Sequence, residues 1–206
     1  MSNQVEMTGV GTASEVPDVV RLDLSVRCEG SDVSAALGDT ARRIEALGTA
    51  ALDHGVAPTD LQTSGAGVHP RHDQHGVDVI GYTAFESLRV TVRDMVRVGD
   101  LVQAFTGAAG NALTVERIAL EVSDPAPLAA KARAAAFKDA ERKATQFAEL
   151  ADRTLGKVVA VVDVDPSGGP HPRAAFMAAK TGGALPVQPG ENTVTATVVV
   201  RWDWMY

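Results

Sequence analysis

Three histidines at intervals of three, His69, His72 and His75, alternate with Asp73 and Asp78 in one short polar stretch. Imidazole nitrogens and carboxylate oxygens are the donors of a divalent metal site. The stretch is therefore the strongest candidate for chemistry in the chain, with His72, His75 and Asp78 as the nominal ligands. Its spacing matches no established zinc motif, and a turn rich in His and Asp is ordinarily solvated. No metal and no other cofactor is assigned on this basis. Asp163 and Asp165 fall on one face at a strand end, as a glycosidase couple would, but acids are common at strand ends. No G-x-S-x-G elbow, phosphate-binding loop or H-E-x-x-H helix occurs in the sequence. Gly9-Val10-Gly11 resembles the start of a dinucleotide loop, yet Pro17 arrives where a third glycine and a helix are needed. Those glycines read as a bulge or a close strand contact. Cys28 is the only cysteine, so no intramolecular disulfide or multi-cysteine site can form, and it reads as a buried, inert thiol. No catalytic residue is assigned, and the expectation is a protein that is not an enzyme.

The elements that carry these residues are well marked. The stretch from Asp60 to Arg93 reads as a strand, the polar turn and a longer strand, with Ile80, Tyr82, Ala84, Leu88, Val90 and Val92 on one face. Val20, Leu22, Leu24, Val26 and Cys28 alternate with polar residues in an earlier strand, which follows a short first strand over Val5 to Thr12. Ser31 or Asp32 caps a helix whose stripe is Val33, Leu37, Ala41, Ile44 and Leu47, with Arg42, Arg43 and Glu45 pointing away and Gly55 at its end. Gly65 and Gly67 share one face of the first hairpin strand, where they would admit a packed helix. Asp94 caps a second helix with Val98, Leu101, Val102 and Phe105 as its stripe, Gly110 closes it, and Leu113 to Val122 returns as a strand.

From residue 19 to residue 122 the order is strand, helix, strand, strand, helix, strand. That is a split βαβ arrangement and predicts an α+β fold: one antiparallel sheet with packed helices on one side. A long Ala-rich helix follows, capped by Asp124 with Pro125 at its first position, and ending at Gly156. Its stripe is Leu128, Ala132, Ala136, Ala140, Ala144, Phe147 and Ala151. Lys157 to Val164 is apolar nearly throughout, as in a strand covered on both faces. The last strand alternates Val194, Ala196, Val198, Val200, Trp202 and Trp204 against polar residues, and both tryptophans read as core. Between these two strands lies a loop over 166–190 containing Phe176 and Met177, which are the candidates for contact with another subunit. Alternatively the loop covers a groove that holds a small ligand.

At 206 residues, 45% hydrophobic and 22% charged, the chain is globular and long enough for one large domain or two small ones. The whole of 1–206 is expected to act as a single domain, with sub-domains at 19–122 and 123–206. A net charge of −7 without clustered Lys and Arg excludes a nucleic-acid surface. No apolar stretch approaches the roughly 20 residues that span a bilayer. The start MSNQVEMTGVGTASEV has neither a basic region nor an apolar run, and the expectation from it is a cytoplasmic protein.

Four short patterns in a fixed order resemble the SIMPL-domain (DUF541) family. They are Gly9-x-Gly11-x-Ala13-x-x-x-Pro17-Asp18, Asp60-Leu61-Gln62-Thr63, Gly81-Tyr82, and Pro186-Val187-Gln188-Pro189-Gly190-Glu191. The resemblance runs from about Val5 to Trp204. It implies an α+β protein of poorly known function, with relatives that are exported, linked to stress tolerance and inclined to form homo-oligomers. It carries no catalytic residues to transfer. The combined expectation is a self-associating structural or interaction protein; the alternative is a module that binds a small ligand or a metal.

Overall fold

The computed structural model describes residues 4–164 and 190–205, and these divide into two compact units. One unit consists of residues 18–121. The other joins residues 4–17 to 122–164 and 190–205, so the first strand of the chain is built into the same unit as the last.

The unit of residues 18–121 contains β2 (Val19–Gly30), α1 (Val33–Asp53), β3 (Leu61–His72), β4 (Val79–Val92), α2 (Val98–Ala109) and β5 (Leu113–Glu121). Its sheet is four-stranded in the order β3-β4-β2-β5, with every neighbouring pair antiparallel. This is the split βαβ arrangement expected from the element order. The core is the dry face of β2 and β4, with Val20, Leu22, Leu24, Val26, Leu88, Val90 and Val92, closed by Leu47, Ala51, Val98, Leu101 and Phe105 from the helices. Cys28 is buried in the same cluster.

Local signals place both ends of α1 and the far end of α2 correctly. Asp32 accepts a hydrogen bond from the Ala35 amide at 2.9 Å, and Gly55 (φ 84°) takes the left-handed position after α1. Asp94 caps the 3₁₀ turn that leads into α2, and Gly110 (φ 56°) ends it.

The buried stripe of α1 differs from the expected one. It is Ala36, Thr40, Leu47 and Ala51, while Val33 and Leu37 are exposed. The helix start lies so close to β2 that a Cβ on Gly30 would stand 2.5 Å from the Ala36 nitrogen, so only small side chains fit beneath the first turns. Arg43 does not point away from the protein: its guanidinium donates to the Ala109 carbonyl at 2.6 Å and satisfies an open end of α2. Ile80 is exposed and lies outside the buried face of β4. Gly65 and Gly67 face away from the helices. Gly67 lies under the Phe85 ring, which stacks on His69 with centroids 5.7 Å apart, and nothing approaches Gly65.

The second unit contains β1 (Gln4–Glu15), α3 (Pro125–Leu150), β6 (Thr154–Asp163) and β7 (Asn192–Met205). Its sheet is three-stranded in the order β1-β7-β6 and antiparallel throughout. Asp124 caps α3 by accepting from the Ala126 amide at 3.1 Å. The 26-residue helix is about 39 Å long. Leu128, Ala132, Ala136, Ala140, Ala144 and Ala148 form its buried stripe, and Phe147, expected there, is exposed. A spacing of four along the whole stripe places Ala148, not Phe147, over the sheet. Gly156 does not end the helix. That end is at Ala151, and Gly156 lies within β6, where a Cβ would stand 2.7 Å from the Asp203 carbonyl oxygen. Val5, Val198, Val200 and Trp202 complete the core, and Phe137 packs its ring at 6.1 Å from that of Trp202.

Candidate functional site

The structure does not assemble the histidine-rich stretch into a metal centre. His72 is the last residue of β3, while Asp73, His75 and Asp78 lie in the connecting turn. Among the described residues, no three His, Cys, Asp or Glu side chains come together to hold an ion. Asp73 has a different task. Its Oδ1 accepts from the Val77 amide at 2.9 Å, and its own amide donates to the Asp78 carbonyl at 2.9 Å, which closes the hairpin turn. His69 is held against Phe85, away from the turn. Asp163 ends β6, and its proposed partner Asp165 lies outside the described residues, as do Phe176, Met177 and the loop that carries them. An open depression of about 400 Å³ is lined by His54, Arg97, Asp100, Gln103 and Ala104. His54 Nδ1 is 2.9 Å from the Ala50 carbonyl, so this ring serves the end of α1.

The contrast that stands out is between the two outer strands of the β1-β7-β6 sheet. An outer strand presents unpaired N–H and C=O groups on which another strand can add. On β1 two of these groups, neighbours along the edge, are occupied. The Val10 amide donates to Asp139 Oδ2 at 3.1 Å, and Lys143 Nζ donates to the Thr8 carbonyl at 3.0 Å. Asp139 is itself held by Lys143 at 2.6 Å and Arg142 at 2.7 Å. Sequence reasoning passed over this group because Asp139 and Lys143, four apart on a helix, read as an ordinary surface ion pair.

The Lys143 ammonium, the Val10 amide and the Arg142 guanidinium hold the Asp139 carboxyl far below the usual carboxylate range. A carboxyl whose native pKa is depressed stabilises the fold above its unfolded pKa, and that contribution is lost as pH falls through the native value. The melting temperature of Asp139→Asn is therefore expected to fall furthest below wild type at neutral pH. The gap should narrow as pH drops below about 4, where the unfolded carboxyl protonates. A gap that is constant from pH 7 to pH 2 would show that the charge of Asp139 contributes nothing.

β6 is the opposite case. The sequence leads one to expect a strand covered on both faces, yet Val158, Val159, Val161, Val162 and Val164 are 45, 47, 53, 56 and 39% exposed. The reason is placement: α3 lies over β1 and β7 and meets β6 only at its margin. The strand has two register irregularities before Ala160 and then runs regularly to Asp163. The Val164 amide donates to the Thr197 carbonyl of β7 at 2.9 Å. By the alternation of a strand, the backbone groups of Val161 and Asp163 then point to the open edge. In the other sheet, the outer strands are interrupted instead, β3 by Pro70 and a register shift at Gly65, and β5 by a shift opposite Asp23 and Leu24.

Fold and surface together define a two-unit α+β protein whose prominent unsatisfied feature, among the described residues, is an apolar strand edge. The chain belongs to the SIMPL family, described as "Protein of unknown function (DUF541)", whose profile matches residues 5–202. It is 26% identical over 212 residues to the "26 kDa periplasmic immunogenic protein" of Brucella melitensis, covering 97% of this chain and 84% of the relative. It is 25% identical over 193 residues to "Uncharacterized protein YggE" of Escherichia coli strain K12, covering 93% and 76%. The first of these names speaks of the periplasm, at odds with the cytoplasmic expectation. Among the described residues no helix is long and apolar enough to cross a membrane.

Proposed function

We propose that this protein is a non-enzymatic, self-associating structural or interaction protein and that it associates through the edge of β6. The observation that supports this reading is the row of exposed valines on β6, where strand alternation turns the backbone groups of Val161 and Asp163 to the outer edge. Strand addition satisfies such groups and removes the valines from water in one step. The location we adopt is the periplasm, following the Brucella relative's name; fractionation of the source cells checks it.

Val161→Pro is the direct test. The Val161 amide points away from β7, so proline there removes no bond of the existing sheet while it blocks addition of another strand. Light scattering on wild type is expected to give a mass above that of one chain, and the variant a mass reduced towards one chain with an unchanged circular dichroism spectrum. A wild type that stays monomeric at all concentrations rejects self-association. An assembly unaffected by Val161→Pro rejects the β6 edge.

A further inference from the structure

A sheet with two open edges in a self-associating protein can add a further copy at each edge. If β6 of one copy adds to β1 of the next, the contact is head-to-tail and a fresh β6 is left free, so growth continues unless the rotation between copies closes a ring. If β6 pairs with β6 of a second copy, the contact is used up by both and growth stops. The chain therefore needs a reason to prefer the second outcome, and β1 supplies one. Thr8 and Val10 are two apart, so they are the successive outward-facing residues that an added strand would bond. The Val10 amide is taken by Asp139 and the Thr8 carbonyl by Lys143, both from α3. The Val10 side chain is 50% exposed, so β1 would otherwise offer an apolar contact as β6 does.

We propose that Asp139 and Lys143 act as an edge guard, closing β1 to addition of β6 from a second copy of this chain. The guard rests on the self-association reading for its use. Its mechanism is local: a donor and an acceptor of the outer strand are satisfied by side chains of the same unit. An incoming strand must first break both bonds and move two charged side chains. Asp139 is held in place by Lys143 and Arg142, so the carboxylate does not swing away freely.

The test compares the full-length chain with the double variant Asp139→Ala, Lys143→Ala by light scattering over a concentration series. Wild type is expected to reach a constant mass, whereas the double variant climbs continuously with concentration. Adding Val10→Pro to the double variant removes the freed amide and is expected to restore the wild-type plateau. Lys143→Met alone, which keeps the Asp139 bond to Val10, is expected to give a smaller climb and stands in if the double variant does not fold. Asp139→Asn, whose amide oxygen still accepts from Val10, is expected to keep the wild-type mass. The proposal is overturned if the folded double variant, or in its place Lys143→Met, keeps the wild-type mass. It is equally overturned if growth occurs and Val10→Pro does not reverse it. A monomeric wild type would defeat self-association through β6 while leaving the guard to be decided by whether its removal starts growth.

Discussion

Gly9→Ala is expected to destabilise the protein by the upper end of the ~1–3 kcal/mol typical of overpacking, or by more. The reason is what the new methyl group would meet. A Cβ at Gly9 would stand 2.0 Å from the Ala136 carbonyl oxygen and 2.7 Å from the Ala140 nitrogen. At Gly11 it would stand 2.1 Å from the Ala136 nitrogen and 2.4 Å from the Ala132 carbonyl oxygen. These are backbone atoms of α3, which cannot rotate out of the way as a side chain can. The helix must lift off β1, which disturbs the contacts of Ala136 and Ala140 with the sheet along with the Asp139 and Lys143 bonds to Val10 and Thr8. Gly38→Ala provides the control. Nothing lies within 4 Å of that position on α1, and alanine in a helix interior is favoured over glycine by about 0.5–1 kcal/mol. Urea denaturation of the three proteins should place Gly9→Ala well below wild type and Gly38→Ala slightly above it. A Gly9→Ala midpoint equal to wild type would mean that α3 does not lie this close to β1.

Trp202→Ala should have a still larger effect, a loss of about 3–5 kcal/mol. Trp202 is 2% exposed, is the largest fully buried side chain in the protein, and lies at the centre of the β1, β7 and α3 core against Phe137. Most other side chains that α3 contributes there are alanines, so the core holds few large groups that could move into the space. The chain contains two tryptophans, and Trp204 remains to report unfolding by fluorescence in the variant. A loss under about 1 kcal/mol would be too small for any buried tryptophan and would remove Trp202 from the core.

Both effects were partly legible beforehand. The alternation of β7 identified Trp202 as core, while Gly9 and Gly11 read as a bulge or a close strand contact; β1 pairs with β7 without a shift, and it is helix α3 that approaches them. What approaches them was not legible, because the contact joins residues more than a hundred positions apart along the chain. The helix stripes show the same limit. Periodicity located α1 and α3, and their caps at Asp32 and Asp124, because capping is a bond between residues two or three apart. Which residues face inward turned on how close each helix lies to its sheet. Small side chains won over larger neighbours, as Ala36 and Thr40 did over Val33 and Leu37.

The histidine-rich stretch and the valine strand mark the same boundary for the candidate sites. His72, His75 and Asp78 are near in sequence, but side chains in a hairpin turn fan out, and Asp73 directs its oxygen to the turn's own amides. Lys157 to Val164 announces a strand by composition alone, and composition cannot say whether anything covers it.

From the sequence alone came the α+β class, the split βαβ order, the N-caps of α1 and α3 and the family, since each depends on neighbouring residues or on the order of short patterns. Tertiary structure alone decided that β1 joins the last strand, that α3 bonds to the outer edge of β1, and that β6 is left uncovered among the described residues. Those outcomes depend on where a helix comes to rest on a sheet, and that is set by close packing between segments far apart in the chain.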